Sequence, residues 1–409
     1  MPHTRSVSIS IYMGVGSCYE SPEVAGVSHF VEHLCFKGTQ RRPTALEISE
    51  TIDRVGGYLN GATEREFTVY WSKVARPHFA LAMDLLLDMI HNSRFDPEEI
   101  DKERKVIIEE LNMLQDSPGD LVSLIIDQVM WPDHPLGRDV AGSRETVGSL
   151  NREQLFGHLE RHYVPAKTVV SVSGAVSHEE VLEAIASVEK SWRPNNPLQG
   201  KGLPSYALAP AVANGVKVSV ERRSTEQAHF CLGMKGLPLL HPDRYALDML
   251  NVILGEGMSS RLFMEVRERR GLAYDVHSYV SHFQGDGALT VYAGVAPKVI
   301  NEAISAVLEQ VALLRDGVSE EELSKVREMT KGTLLLRMED SRSVSAWAGA
   351  QQLLTNRIRT VDEVVSLLDL ITVEDVNRVA REQLLAEKWR LAVVGPYRSL
   401  KRFETLLRT

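Results

Sequence analysis

The feature that most limits the fold of this 409-residue chain is an internal repeat with an offset of 221 to 223 residues. The matching pairs are 4–13 with 225–234, 96–100 with 319–323, and 152–174 with 373–395. Three separate stretches whose offsets agree within two residues indicate the duplication of a whole structural unit. Each copy contains both strand-like and helix-like segments. We therefore expect two similar α+β halves of roughly 200 residues each.

The two copies are separated by a stretch rich in proline and glycine, between residues 193 and 215. Such a composition is typical of a linker, because proline and glycine interrupt regular structure. The predicted boundaries are a first half over 1–195, a linker over 196–215 and a second half over 216–409.

The first half contains an apolar helical stretch, residues 26–36, with three ionisable residues in it. His29 and His33 are four positions apart, so on a helix they lie about 40° from each other, one turn apart. Glu32 falls beside them. Two imidazoles in this arrangement can share one metal ion, and the carboxylate can reach a water molecule near it. This is the H-x-x-E-H pattern, the inverse of H-E-x-x-H.

A five-residue match can arise by chance, and a single histidine in a helix is more often an ordinary core or surface residue. The surroundings favour the metal site, because two histidines and a glutamate among apolar residues are costly to bury without a cation. The repeat supplies an internal comparison: the equivalent positions in the second half are Leu250, Ile253 and Leu254. Cys35 lies about 200° from His33 on the helix, so we expect a small core residue rather than a ligand.

A catalytic zinc site usually has three protein ligands and one open position. The predicted helix 98–114 has two glutamates on its inward apolar stripe, Glu103 and Glu110, which are about 20° apart. Glu109 is turned about 100° away and is expected to face solvent. One of the inward pair should bind the metal, and the other should support a histidine.

Composition narrows the class of protein. The net charge of −9 argues against nucleic acid or an anionic membrane as the main partner. No apolar run reaches the roughly 18 residues of a membrane span. The three cysteines are scattered, and the first residues lead directly into an alternating strand without a signal peptide. These features together predict a cytoplasmic protein.

The motif and the distant glutamate together resemble the pitrilysin (M16) metallopeptidases, and within them the processing-peptidase-like branch. Glu110 follows the motif after 76 residues, and the resemblance extends nearly from end to end. Further matching segments are Gly56-Gly57-Tyr-Leu-Asn60-Gly-Ala62-Thr63, Gly255-Glu-Gly257-Met-Ser-Ser-Arg-Leu-Phe and Arg267-Glu-Arg-Arg-Gly-Leu-Ala-Tyr274. The family fold implied is of the LuxS-metallohydrolase-like kind, in which each half is a mostly antiparallel sheet packed with helices.

The resemblance implies one zinc ion per chain, in the first half. His29, His33 and Glu110 would bind it, Glu32 would be the catalytic base, and Glu103 would support a ligand. The second half would carry no metal.

Substrate contacts are implied in both halves. Arg267 and Tyr274 match the pair that in this family reaches the substrate, and their donors suit a developing oxyanion. The stretch after Leu59 is a candidate edge strand that could pair with a peptide backbone. Its predicted substrate-binding residues are Asn60, Gly61, Ala62 and Thr63.

The chain departs from the family pattern at two places. The usual first strand, which contains Asn-Gly-Leu and would precede residue 1, is absent, as expected for a truncated start or a replaced edge. Where the family typically has Gly-Gly-Gly, this chain has Gly255-Glu256-Gly257, which could also be a plain turn before a helix.

The sequence therefore predicts a zinc endopeptidase that cleaves short or unfolded peptides enclosed between two halves of a clamshell. Two alternatives stay open: an active subunit that requires an inactive partner chain, and a non-catalytic scaffold. The predicted partners are peptide substrates and either a second copy or a related chain.

Overall fold

The computed structural model describes residues 1–189 and 217–408. The predicted linker, 196–215, lies outside the described residues. The elements up to residue 189 are β1 (Ser6–Met13), α1 (Val27–Cys35), α2 (Ala45–Asp53), β2 (Tyr58–Thr63), β3 (Thr68–Ala75), α3 (Phe79–Asn92), α4 (Pro97–Asp116), α5 (Pro118–Met130), α6 (Arg144–Ser149), α7 (Arg152–His162), β4 (Thr168–Gly174) and α8 (His178–Glu189).

The second described segment repeats this order after one additional strand. Its elements are β5 (Lys217–Arg222), β6 (Ala228–Lys235), α9 (Arg244–Gly255), a π-helical segment (Phe263–Arg269), β7 (Ala273–His282), β8 (Gly287–Val295), α10 (Ile300–Asp316), α11 (Glu320–Arg337), α12 (Ser341–Thr355), α13 (Val361–Asp369), α14 (Val373–Gln383), β9 (Arg390–Gly395) and α15 (Leu400–Leu406). The duplication and the α+β class are confirmed.

Helices α6 and α7 are separated by Leu150 and Asn151. The Asn151 side chain accepts a hydrogen bond from the backbone of Gln154, and the Gln154 side chain bonds back to the Asn151 backbone. This reciprocal cap starts a new helix, because asparagine competes for backbone hydrogen bonds that a continuous helix would need.

The first sheet has the strand order β2-β3-β1-β4, and all its pairings are antiparallel. Val7, Ile9 and Ile11 of β1 point into a core that also contains apolar residues of α1 and α3. The opposite face of β1 carries Ser8 and Ser10, and α12 packs there. Alternation of apolar and small polar residues thus gives β1 two buried faces.

The second sheet has the order β5-β9-β6-β8-β7 and is antiparallel except for the β5–β9 pair. Helix α9 packs on β7, and α5 packs on β9 and β6. A Cβ atom at Gly233 of β6 would lie 2.8 Å from the Met130 sulfur of α5. The glycine therefore permits the close approach of this helix to the sheet.

The compact units do not coincide with the predicted ranges 1–195 and 216–409. Of the described residues, 1–111, 139–189 and 335–359 form the first unit, and 112–138, 217–334 and 360–408 form the second. The physical reason lies in two helices: α5 covers a face of the second sheet, and α12 covers a face of the first. Among the described helices, none has the length and apolarity required to cross a membrane.

Candidate metal centre

Helix α1 lies in the core of the first unit. Val27, Phe30, Val31 and Leu34 are buried, as the apolar periodicity predicts. The side chains of His29 and His33 lie one turn apart on the remaining face, and each is only 17% exposed. The helix therefore holds two imidazoles at the border between core and solvent.

Helix α4 supplies the carboxylates. Glu103 is buried, Glu110 is partly exposed, and Glu109 is exposed. The helical phase predicted from the sequence is therefore confirmed, with the first two glutamates on the side facing the histidines.

Three potential ligand atoms converge between α1 and α4. The Nε2 atoms of His29 and His33 are 3.3 Å apart, and Glu110 Oε2 lies 3.8 Å and 3.6 Å from them. In a tetrahedral zinc site with bonds of roughly 2.1 Å, neighbouring ligand atoms are separated by about 3.4 Å. The donor set and its spacing thus fit zinc, although Glu32 also offers an oxygen within 4.8 Å of both histidines.

The other ring nitrogen of His33 contacts Glu103. The distance from His33 Nδ1 to Glu103 Oε2 is 3.1 Å, and Lys37 Nζ lies 2.7 Å from Glu103 Oε1. Burial opposes ionisation of Glu103, but the hydrogen bonds from His33 and Lys37 outweigh it and lower the pKa of this carboxyl group. An ionised Glu103 accepts a hydrogen bond from the protonated Nδ1 of His33, which leaves the Nε2 lone pair directed into the site. Lys37 was not identified from the sequence, although it lies only four residues after His33, just beyond the end of α1.

The histidines differ in their surroundings. Burial, with a further contribution from His33, lowers the pKa of His29 to about 4. Burial alone would lower the pKa of His33. The hydrogen bond with Glu103 and the nearby Glu110 carboxylate have the larger, opposite effect, so the pKa of His33 is raised above its ordinary value. Within the described residues, His29 Nδ1 is buried without a hydrogen-bond partner. His29 is thus neutral near pH 7, which is the state that binds a metal.

Glu32 faces the edge strand β2. Thr63 donates a hydrogen bond of 3.3 Å to Glu32 Oε2, and a Cβ atom at Gly61 would lie 2.6 Å from Oε1. Burial raises the pKa of Glu32 above its ordinary value. A carboxylate with a raised pKa is a better proton acceptor, as a general base requires.

The predicted substrate strand is indeed at a sheet edge. Among the described strands, β2 pairs with β3 only, and Asn60, Gly61, Ala62 and Thr63 are partly or fully exposed. Whether these residues bind substrate stays a prediction.

Arg267 and Tyr274 belong to the second unit, where they contact each other. The Arg267 guanidinium lies 4.7 Å from the centroid of the Tyr274 ring and at the same distance from the Phe263 ring. The Tyr274 side chain is 78% exposed. The structure thus brings the predicted pair together as an exposed stack, and its catalytic role stays a prediction.

Cys35 is fully buried, and its sulfur accepts a hydrogen bond from the Tyr70 hydroxyl at 3.4 Å. Its predicted assignment as a core residue is confirmed.

A family model described as "Insulinase (Peptidase family M16)" matches residues 1–144, and one described as "Peptidase M16 inactive domain" matches residues 149–330. A Bacillus subtilis protein named an uncharacterized zinc protease is 39% identical over 97% of this chain and 94% of its own length. A similarly named Mycobacterium leprae protein is 37% identical over 100% of this chain and 91% of its own.

A solved structure has the same fold. The crystal structure of a protease from Helicobacter pylori matches with a TM-score of 0.90, covering 96% of this chain and 94% of that one. The sequence identity is 24%, so this likeness concerns the fold alone.

Proposed function

Because this chain belongs to the M16 family of peptidases, we propose that it is a zinc-dependent endopeptidase that cleaves short or unfolded peptides. The observation that carries the proposal is the convergence of three ligand atoms, from His29, His33 and Glu110, at separations of 3.3 to 3.8 Å. A bound zinc ion would act there as a Lewis acid that polarises the scissile carbonyl and makes a water molecule more acidic. One such site per chain is proposed.

The proton transfers are assigned to Glu32. Its carboxylate would accept a proton from the attacking water and then deliver it to the leaving amine. Two features support this role. The hydrogen bond from Thr63 holds the carboxylate in place, and the absence of a side chain at Gly61 leaves the space that the carboxylate needs.

Substrate binding is proposed at the free edge of β2. An extended peptide could add to this edge through backbone hydrogen bonds, which depend little on its sequence. Arg267 and Tyr274 are proposed to donate hydrogen bonds to the oxyanion that develops on the scissile carbonyl. The family model that matches residues 149–330 is described as an inactive domain, which agrees with a single metal site per chain.

The test is a cleavage assay with internally quenched peptides on the purified chain. Activity should disappear when a chelator removes the metal and return when zinc is added. A Glu32→Gln variant purified in parallel excludes a contaminating protease. Absence of cleavage by the chain alone, with recovery after a related chain is added, would favour the heterodimer instead. Absence of bound zinc in the purified wild type would contradict the proposal.

A further inference from the structure

The amino-terminal end of the metal helix α1 is capped by a distant residue. Its own N-cap is Gly26, which has no side chain to offer. The two oxygens of the Glu20 carboxylate instead accept hydrogen bonds from the backbone, one from Gly26 N at 2.7 Å and one from Ser28 N at 2.8 Å. Glu20 thereby satisfies two of the donors that a helix leaves unpaired at its start.

Glu20 is itself firmly anchored. Its side chain is buried, and its loop is held by backbone bonds from Ser17 N to Glu64 O at 3.2 Å and from Cys18 N to Arg65 O at 2.8 Å. Those acceptors belong to the turn between β2 and β3. The loop that carries Glu20 therefore connects the start of the metal helix, through the carboxylate, with the hairpin that contains the strand beside Glu32, through backbone bonds.

The chain segment entering α1 has little freedom to move. Gly26 has a φ of +92°, and a Cβ atom there would lie 2.4 Å from the Ala141 carbonyl oxygen. Where the two segments cross, Gly142 is equally constrained, since its Cβ atom would lie 2.3 Å from Ala25 O. The helix start is thus held from one side by the crossing and from the other by Glu20.

We propose that Glu20 is a positioning residue for the metal centre, an inference that rests on the zinc function proposed above. His29 directly follows Ser28, whose amide Glu20 holds, so the carboxylate fixes the turn of α1 that carries the first ligand. A negative charge at the start of this helix also favours a cation bound to it. Loss of the contact and loss of the charge both weaken zinc binding. Replacement of Glu20 should therefore raise the zinc dissociation constant.

The test compares Glu20→Gln with Glu23→Gln in the full-length chain. Gln retains one acceptor oxygen, but its NH2 group faces the second backbone donor. Glu23 is an exposed residue of the same segment and gives the same change of charge without these cap bonds. The zinc dissociation constant is measured by competition with a chromogenic chelator. We expect about a 10-fold increase for Glu20→Gln and less than a 2-fold change for Glu23→Gln.

Hydrogen–deuterium exchange of the metal-free proteins provides a readout that does not depend on zinc. Peptides covering residues 22–30 should exchange faster in Glu20→Gln, whereas those from the carboxyl-terminal part of α4 should not. If Glu20→Gln does not fold, Glu20→Asp replaces it, because Asp keeps the charge but is too short to reach both amides. A raised dissociation constant in Glu20→Asp supports the proposal.

An unchanged zinc affinity in a folded Glu20 variant, beside a wild type that binds zinc, overturns this inference alone. A wild type that does not bind zinc overturns the proposed function as well.

Discussion

The equivalent helices of the two repeats, α1 and α9, carry different residues at the positions of the metal motif. In α9 the positions matching the metal motif are Leu250, Ile253 and Leu254, and all three are buried. In α1 the same positions are occupied by His29 and His33, which contact carboxylates of α4, and by Glu32, which faces β2. The comparison teaches that this helix position requires only apolar burial for folding, so the polar version is explained by chemistry rather than by stability.

The largest effect is expected for Glu32 of α1, the residue proposed to transfer protons. Glu32→Gln should reduce peptide cleavage by up to about 10⁴-fold, because the amide cannot accept the proton from water. The zinc content should remain at the wild-type value, since the proposed ligands are untouched. Metal analysis of the purified variant alongside the peptide assay measures both. Loss of zinc together with activity would mean that Glu32 is a ligand, as its position within 4.8 Å of both histidines would permit.

The next variant tests whether the second repeat, which has aliphatic residues at the metal-motif positions, contributes to catalysis. Tyr274→Phe should lower kcat by about 100- to 1,000-fold through the loss of one oxyanion donor, with zinc content and thermal stability unchanged. Tyr245→Phe is a matched control, because Tyr245 also stacks with an arginine in the second unit, with Arg244 at 4.3 Å. Normal turnover of Tyr274→Phe at saturating substrate would remove this tyrosine from the mechanism.

The next two variants are in α4, the helix that faces His29 and His33 of α1. Glu110→Gln should raise the zinc dissociation constant by roughly 100-fold or more, beyond the effect typical of residues that only support a ligand. Glu109→Gln has the same change of charge one residue away on the exposed side of α4, and it should bind zinc like the wild type. Zinc loss in the Glu109 variant, but not in the Glu110 variant, would show that the assignment of ligands on α4 is wrong.

The smallest effect concerns stability. The triple replacement His29→Leu, Glu32→Ile and His33→Leu makes α1 resemble α9 and should abolish zinc binding. The melting temperature of the metal-free protein should nevertheless rise, because about 1–3 kcal/mol is spent for each polar group buried without a full set of partners. Calorimetry with and without a chelator measures this. Zinc should stabilise the wild type but not the replacement, and a lower melting temperature of the replacement would contradict the comparison.

The sequence alone determined the features that depend on local periodicity. The spacing of His29 and His33 places them on one face of a helix in any fold, and the seven-residue spacing of Glu103 and Glu110 does the same on α4. The exposure of Glu109 and the burial of Cys35 follow from the same helical phase, and the structure agrees with both.

The residues alone do not show which of the two inward glutamates lies near the proposed metal position and which one contacts a histidine from behind. Both lie on the same stripe, and only the packing of α4 against α1 decides that Glu103 meets Nδ1 of His33 while Glu110 approaches both Nε2 atoms. Contacts across the fold, such as those of Lys37 with Glu103 and of Glu20 with Ser28, likewise depend on how separate segments come together.

The composition of the compact units was also decided by tertiary structure. Helices α5 and α12 are counterparts in the repeat, but α5 packs on the second sheet and α12 packs on the first. The choice is made by detailed fit: α12 packs its Ser341 and Ser345 hydroxyls against Ser8 and Ser10 of β1, whereas α5 packs apolar side chains over Gly233 of β6. Local periodicity indicates that a face must be buried, but complementary shape and paired hydroxyl groups determine which surface buries it.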